Sequence, residues 1–280
     1  MMPWIEAAQG VRLNAYALEL LGPPLAGSLL GPTDDSAGLQ NMAAWCRGYL
    51  ESAADHMMLW SDHVAPLKFH LEATIVHTLR PSLTLARAAM ESAAQAIWIL
   101  SPAEPIESAR RYIMLGLADL TEQMKAADQP DEKLRLRHTL NECFETLGLT
   151  ARTFKAPRYI DMVRAASTFL GQDAEEQAQQ PWMDPDRVER LWRSAAGAAH
   201  GKQWPEQEYS NVEEEPGGIE YLVPNHIAMA EIVDVAEKFL SAGVILLAIR
   251  SGRRDEWQSL WDTATARLEA EITPRTDHDK

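Results

Sequence analysis

The stretch Pro81-Ser82-Leu83-Thr84-Leu85-Ala86-Arg87-Ala88-Ala89-Met90-Glu91-Ser92-Ala93-Ala94-Gln95-Ala96-Ile97-Trp98-Ile99-Leu100 decides the fold class. Leu83, Ala86, Met90, Ala94 and Ile97 return at steps of three and four, the spacing of one helix face. Alanine and leucine dominate, and β-branched residues are few, which favours helix over strand. Pro81 suits a first turn, where its missing N–H has no partner to lose. Ser101-Pro102 stops the run, so the segment predicts a helix over 82–100. Arg87 and Glu91 stand four apart on this otherwise apolar helix and therefore need partners. Arg110 or Arg111, at the start of the next helix, is the expected partner of Glu91. Arg87, Glu91 and Arg110 then either orient a nearby site or form a plain structural ion-pair network.

The pattern continues on both sides. Met42, Trp45, Tyr49, Ala53, His56, Trp60 and His63 keep helical spacing, with Asp34-Asp35-Ser36 as caps. Pro66 interrupts, and 67–79 reads as a further helical stretch. Residues 1–33 contain Gly22-Pro23-Pro24 and Gly31-Pro32 and read as short helix or irregular chain. Downstream, helices are expected over 105–127, 132–147 and 159–170, with a polar linker over 172–180. Asp184-Pro185 is an N-cap followed by proline at N1, opening a helix that Gly201 closes after His200. Glu213-Glu214-Glu215-Pro216-Gly217-Gly218 leads into the alternating Ile219–Val223, a loop or small hairpin. Asn225 caps an apolar helix to Arg250, and 253–272 forms the last one. The expected fold is all-α, a bundle of about eight helices with one short β-like passage near 205–223. It divides into an N-terminal segment, 1–33, a helical-bundle domain, 34–272, and a fraying tail, 273–280.

Composition bounds the function. The 280 residues are 46% apolar, enough for a buried core and against bulk disorder. The net charge of −15 repels nucleic acid at long range and leaves room only for a local basic groove. Cys46 and Cys143 lie far apart, without the spacing of a thiolate zinc site or a disulfide framework, and fit a reducing compartment. Residues 1–10 have no basic region ahead of an apolar run, and 242–249 falls short of the roughly 20 residues a membrane span requires. A cytoplasmic protein without membrane contact is the expectation. Dinucleotide, phosphate-loop, nucleophile-elbow and zincin motifs are missing, so no cofactor is expected.

One constellation carries chemistry. In Arg193-Ser194-Ala195-Ala196-Gly197-Ala198-Ala199-His200, the terminal pair is seven steps apart. Nearly two helical turns put both side chains on one face, about 10 Å apart along the axis. Glu189 and Gly197 share that face, and the small residues let a backbone or a substrate approach. Arg187, Arg190 and Lys202 lie nearby and could bind phosphates, while Trp182, Trp192 and Trp204 could stack bases. The alternative uses are local: Arg193 paired with Glu189, His200 at the helix end, and the tryptophans in the core.

The Arg193–His200 segment resembles the arginine, four-to-six residues, histidine motif of the HEPN superfamily, helical bundles that commonly dimerise. Arg87 to Glu91 with Trp98, then Arg110-Arg111-Tyr112, then Arg193 to Gly201, also resembles a group of bacterial helical proteins, some considered HEPN-like; this likeness spans roughly 80–201. It implies RNA cleavage without a metal, as in a toxin or antiviral effector. His200 would be the acid/base group, Arg193 would stabilise the phosphorane, and Ser194 would be the polar residue following the arginine. The cleft would form across a homodimer. The competing function is a non-catalytic module that binds a protein partner. His56, His63, His70 and His77 recur every seven residues, a poor chelate spacing, so no metal site is expected.

Overall fold

The computed structural model describes residues 2–31, 42–68, 77–172 and 180–272, and among them are ten α-helices and one two-stranded ribbon. In chain order these are α1 (Pro3–Leu20), α2 (Met42–Val64), α3 (Leu79–Leu100), α4 (Pro105–Ala126), α5 (Pro130–Thr146), α6 (Tyr159–Gly171), α7 (Pro185–Ala199), α8 (Trp204–Glu208), β1 (Ser210–Glu215), β2 (Ile219–Pro224), α9 (His226–Arg250) and α10 (Trp257–Ile272).

Two helices form the centre. α9 is apolar on nearly every side and is buried accordingly, with Ile232, Phe239, Leu240 and Val244 sealed from solvent. Its most extensive packing is on α3, then on α1 and α2. α3 in turn carries α2 on one side and α6 and α7 on another. Gly243 sets the closeness of this arrangement, because a Cβ there would collide with the side chain of Leu50 on α2. Arg250, at the end of α9, donates to the carbonyls of Leu100 (2.9 Å), Ser101 (3.4 Å) and Pro102 (2.7 Å). It thereby satisfies the acceptors that the end of α3 leaves over.

The N-terminal segment departs from the expectation of short helix or irregular chain. α1 runs for 18 residues and lies against α9, α2 and α10. Its buried face includes the polar residues Arg12 and Asn14. Arg12 is only 1% exposed; its Nη2 donates to Asp62 Oδ1 and to the Ala65 carbonyl, both at 2.9 Å. Asn14 Nδ2 donates to Glu237 Oε1 on α9 at 3.0 Å and to the Gly10 carbonyl at 2.8 Å. Burial pushes the Glu237 carboxyl up, and Lys238, 2.7 Å from its Oε2, works against that. Residues 21–31 are irregular.

The stretch expected to be helical over 67–79 is corrected where it is described. Leu67, Lys68, His77 and Thr78 are not helical, and α3 starts at Leu79 after an extended Thr78. Pro81 thus sits third in the helix, still inside the turn whose N–H groups need no intrahelical partner. The rest of that stretch, with His70, and the caps Asp34–Ser36 lie outside the described residues.

α4 and α5 form a hairpin with its own small core of Leu117, Leu140 and Phe144, separate from the main one. α5 packs almost wholly on α4. The β1–β2 ribbon is antiparallel, with Glu213 opposite Tyr221 and Val212 opposite Leu222. Pro216-Gly217-Gly218 turns it, at φ values of 123° and 78° that only glycine adopts freely. No helix among the described residues is long and apolar enough to cross a membrane.

Candidate functional site

α7 forms where the sequence signals it. The Asp184 carboxylate accepts from the backbone N–H of Asp186 and Arg187, and Pro185 follows it. Val188, Leu191, Ala195 and Ala198 face the core, so Arg193 points outward with its side chain 60% exposed. Arg193 donates through Nε (2.8 Å) and Nη2 (2.7 Å) to Glu189 Oε1. Arg164 of α6 binds the other oxygen of Glu189. Arg193 first, then Arg164, hold the Glu189 carboxyl below the usual range.

His200 is exposed and sits just past the end of α7, its backbone N–H bonded to the Ala196 carbonyl at 3.1 Å. Gly201, at φ 70°, reverses the chain, and the Lys202 N–H returns to the Gly197 carbonyl at 2.9 Å. Ser194 turns the other way. It is fully buried, and its Oγ donates to Glu208 Oε2 at 3.4 Å. The structure therefore separates Ser194 from the exposed Arg193 and His200. Gly197 is filled by this chain itself: a Cβ there would lie 3.0 Å from Pro205 and 3.2 Å from the Trp204 ring. α8 occupies the space that an incoming backbone or substrate would use.

The arginines expected to meet phosphate already have carboxylate partners. Arg187 binds Glu231 through two nitrogens, Arg190 binds Glu208, and Arg193 binds Glu189. Lys202 is exposed, and its carbonyl accepts from Arg80. Trp182 and Trp192 are partly buried against the core. Trp204 keeps 43% exposure while its ring edge covers Gly197.

Arg80 was not legible as a partner of this segment. Its Nη1 donates to the carbonyls of Ala198 and Lys202, both at 3.3 Å, and its Nη2 to Glu206 at 2.8 Å. A guanidinium from the first turn of α3 thus closes the carbonyl end of α7. Beside it lies an open, largely apolar groove of about 560 Å³, lined by Leu59, Arg80, Leu85, Ala198 and Gly201 among others. Neither Arg193 nor His200 lines it.

The second constellation is corrected in one member. Arg87 Nε donates to Glu91 Oε1 at 2.8 Å, and the same oxygen accepts from Trp192 Nε1 at 2.8 Å. The Arg87 guanidinium lies 5.1 Å from the centre of the Trp192 ring, so the three residues tie α3 to α7. Arg110, expected opposite Glu91, instead chelates Glu107 through two bonds of 2.7 Å. Arg111 adds a third at 2.9 Å and donates to the Trp98 carbonyl at 2.8 Å. Glu107 lies one turn back on the same helix, so local spacing wins over reach between helices. Hydrogen bonds from Arg110 and Arg111 pull the Glu107 carboxyl down to about 2.

Of the histidine series, His70 lies outside the described residues, and His63 acts on His77 through charge. His77 stacks on His226 with ring centres 5.2 Å apart and meets Trp4 edge-on at 4.9 Å. Burial first, then His226 and His63, push the His77 imidazole down. Among the described residues no group of three or more His, Cys, Asp or Glu side chains is placed to hold a metal ion. Comparison of the chain with family models, with curated proteins and with solved structures finds no match.

Proposed function

We propose that this protein is a non-catalytic interaction module, a helical body that presents the β1–β2 ribbon to an extended, basic segment of a protein partner. The observation that carries this reading is the ribbon itself. Val212, Ile219, Tyr221 and Leu222 are exposed on it, and among the described residues neither strand has a neighbour on its outer edge. A two-stranded ribbon is marginal in water by itself, and a free edge pairs readily with another extended chain. Glu213, Glu214, Glu215 and Glu220 surround these apolar side chains. They favour lysine and arginine on an added strand and oppose pairing with the same ribbon of a second copy. The test is fluorescence anisotropy with a labelled peptide of alternating lysine and valine. Saturable binding is expected, lost in Glu213→Lys/Glu215→Lys at unchanged melting temperature. Absent binding, or binding indifferent to the charge reversal, overturns the reading.

One observation favours a second reading, a HEPN-like metal-independent endoribonuclease. Arg193 and His200 both project to solvent from the end of α7. In that reading His200 moves the proton, Arg193 leaves Glu189 to meet the phosphorane charge, and a second copy completes the cleft. Purified protein would then cut RNA in EDTA, and His200→Ala would not. Intact RNA with well-folded protein removes this reading.

A further inference from the structure

We propose that the crevice between α2, α3, α4 and the start of α6 binds a small organic ammonium ion. It has a volume of about 510 Å³, within the range of small-ligand sites. Tyr49 and Ser52 of α2, Ser92 of α3, Asp119 and Glu122 of α4, and Tyr159 of α6 supply its polar wall. Leu115, Ala118 and Met162 supply apolar surface. This site is independent of the ribbon and of the α7 pair.

The charge of the crevice selects the ligand's sign. Among the described residues its lining includes two carboxylates and no lysine, arginine or histidine. Asp119 and Glu122 are three apart on α4 and so share one side of it. Their local partners leave oxygens over: Gln123 donates to Asp119 Oδ2 at 2.8 Å, and Lys125 lies 2.6 Å from Glu122 Oε1. The negative field reaches inward. After burial, Asp119 is the next largest influence raising the Tyr49 phenol, and Glu91, Glu122 and Asp119 raise Tyr159 against a smaller opposing effect of Arg87.

The chemistry of the walls then selects an organic cation over a metal ion. Calcium is held by several carboxylates and carbonyls converging on one point, whereas the crevice brings two carboxylates, and among the described residues no group of three or more His, Cys, Asp or Glu side chains is placed to hold a metal. Phenol rings offer their faces to an alkylammonium. The Ser52 and Ser92 hydroxyls, 3.4 Å apart, offer acceptors for its N–H groups, and the apolar surface takes a hydrocarbon chain.

Isothermal titration of the full chain with spermidine at physiological salt tests the site, with hexaamminecobalt(III) as a cation of equal charge and no alkyl chain. The expected result is one saturable site for spermidine, with hexaamminecobalt(III) binding more weakly. Asp119→Asn/Glu122→Gln, at two exposed positions, should weaken spermidine by about tenfold or more, the value of a charge-assisted hydrogen bond. Ala118→Leu keeps every charge, fills the crevice and should also weaken binding. The carboxamide variant decides alone if Ala118→Leu fails to fold. No saturable heat, equal affinity for both cations, or spermidine binding that survives Asp119→Asn/Glu122→Gln overturns the proposal in favour of a diffuse response to an acidic surface.

Discussion

α9 and α5 are both unbroken helices, yet they are held in opposite ways. α9 is covered on nearly every side by α1, α2 and α3, whereas α5 buries only Leu136, Leu140 and Phe144 along one stripe. Helical secondary structure is the same currency in both, and the free energy of opening is not. A helix in the centre unfolds only with the whole molecule, while one resting on a single neighbour opens by itself.

The contrast is sharpest under truncation of one leucine in each region. Leu240→Ala, at a fully buried position of α9, should cost about 2–5 kcal/mol in urea unfolding. Leu140→Ala removes the same atoms from the small core of the α4–α5 hairpin. It should leave the global midpoint nearly in place and instead accelerate amide exchange across 130–146. Equal losses of global stability would erase the distinction.

Smaller effects sharpen it at the polar contacts. Glu91→Ala strands Arg87 and the Trp192 N–H at a partly buried junction and should cost about 1–3 kcal/mol. Arg193→Ala breaks an exposed pair of the same i, i+4 type on α7 and should change stability by less than about 0.5 kcal/mol. A large loss in Arg193→Ala would mean that the outer side of α7 is covered.

Glu237 gives the centre a pH signature. Its folded pKa is raised above the ordinary 4.5, so the unfolded chain releases the proton first. The contribution is present below 4.5 and is lost as pH rises through the raised folded value. Asp234, also raised by burial from 3.8, acts with the same sign. Stability followed from pH 4 upward should therefore decline less steeply in Glu237→Gln than in the wild type. Identical slopes would show that Glu237 is ionised at no cost.

Local signals in the sequence were the legible ones. The apolar spacing of 82–100, the Asp184-Pro185 start, the Asn225 cap and the glycine turn of the ribbon each act within a few residues, and each is found in place. What stayed hidden depends on distant partners. Nothing near Asn14 announces Glu237, and so α1 read as a loose segment. Arg80 and Arg250 close helix ends that lie more than a hundred residues away, a role with no sequence spacing. At the candidate site the exposure of Arg193 and its pairing with Glu189 follow from helical geometry. The burial of Ser194, and the use of Gly197 by Trp204 and Pro205, come from α8, which the sequence marks only with a proline.

The position of α9 also bears on how the chain comes off the ribosome. The helix that unites the core begins at His226, after every residue of α1, α2 and α3 has been made. Until then Val11, Leu50 and Ile97, all sealed from solvent in the finished protein, lack the surface that covers them. The guanidinium that closes the end of α3 arrives later still, with Arg250. A nascent chain halted at Asn225 is therefore no smaller edition of this protein but an adhesive intermediate. Synthesis of α9 is the step at which a chaperone's protection of the α1–α3 surfaces can end.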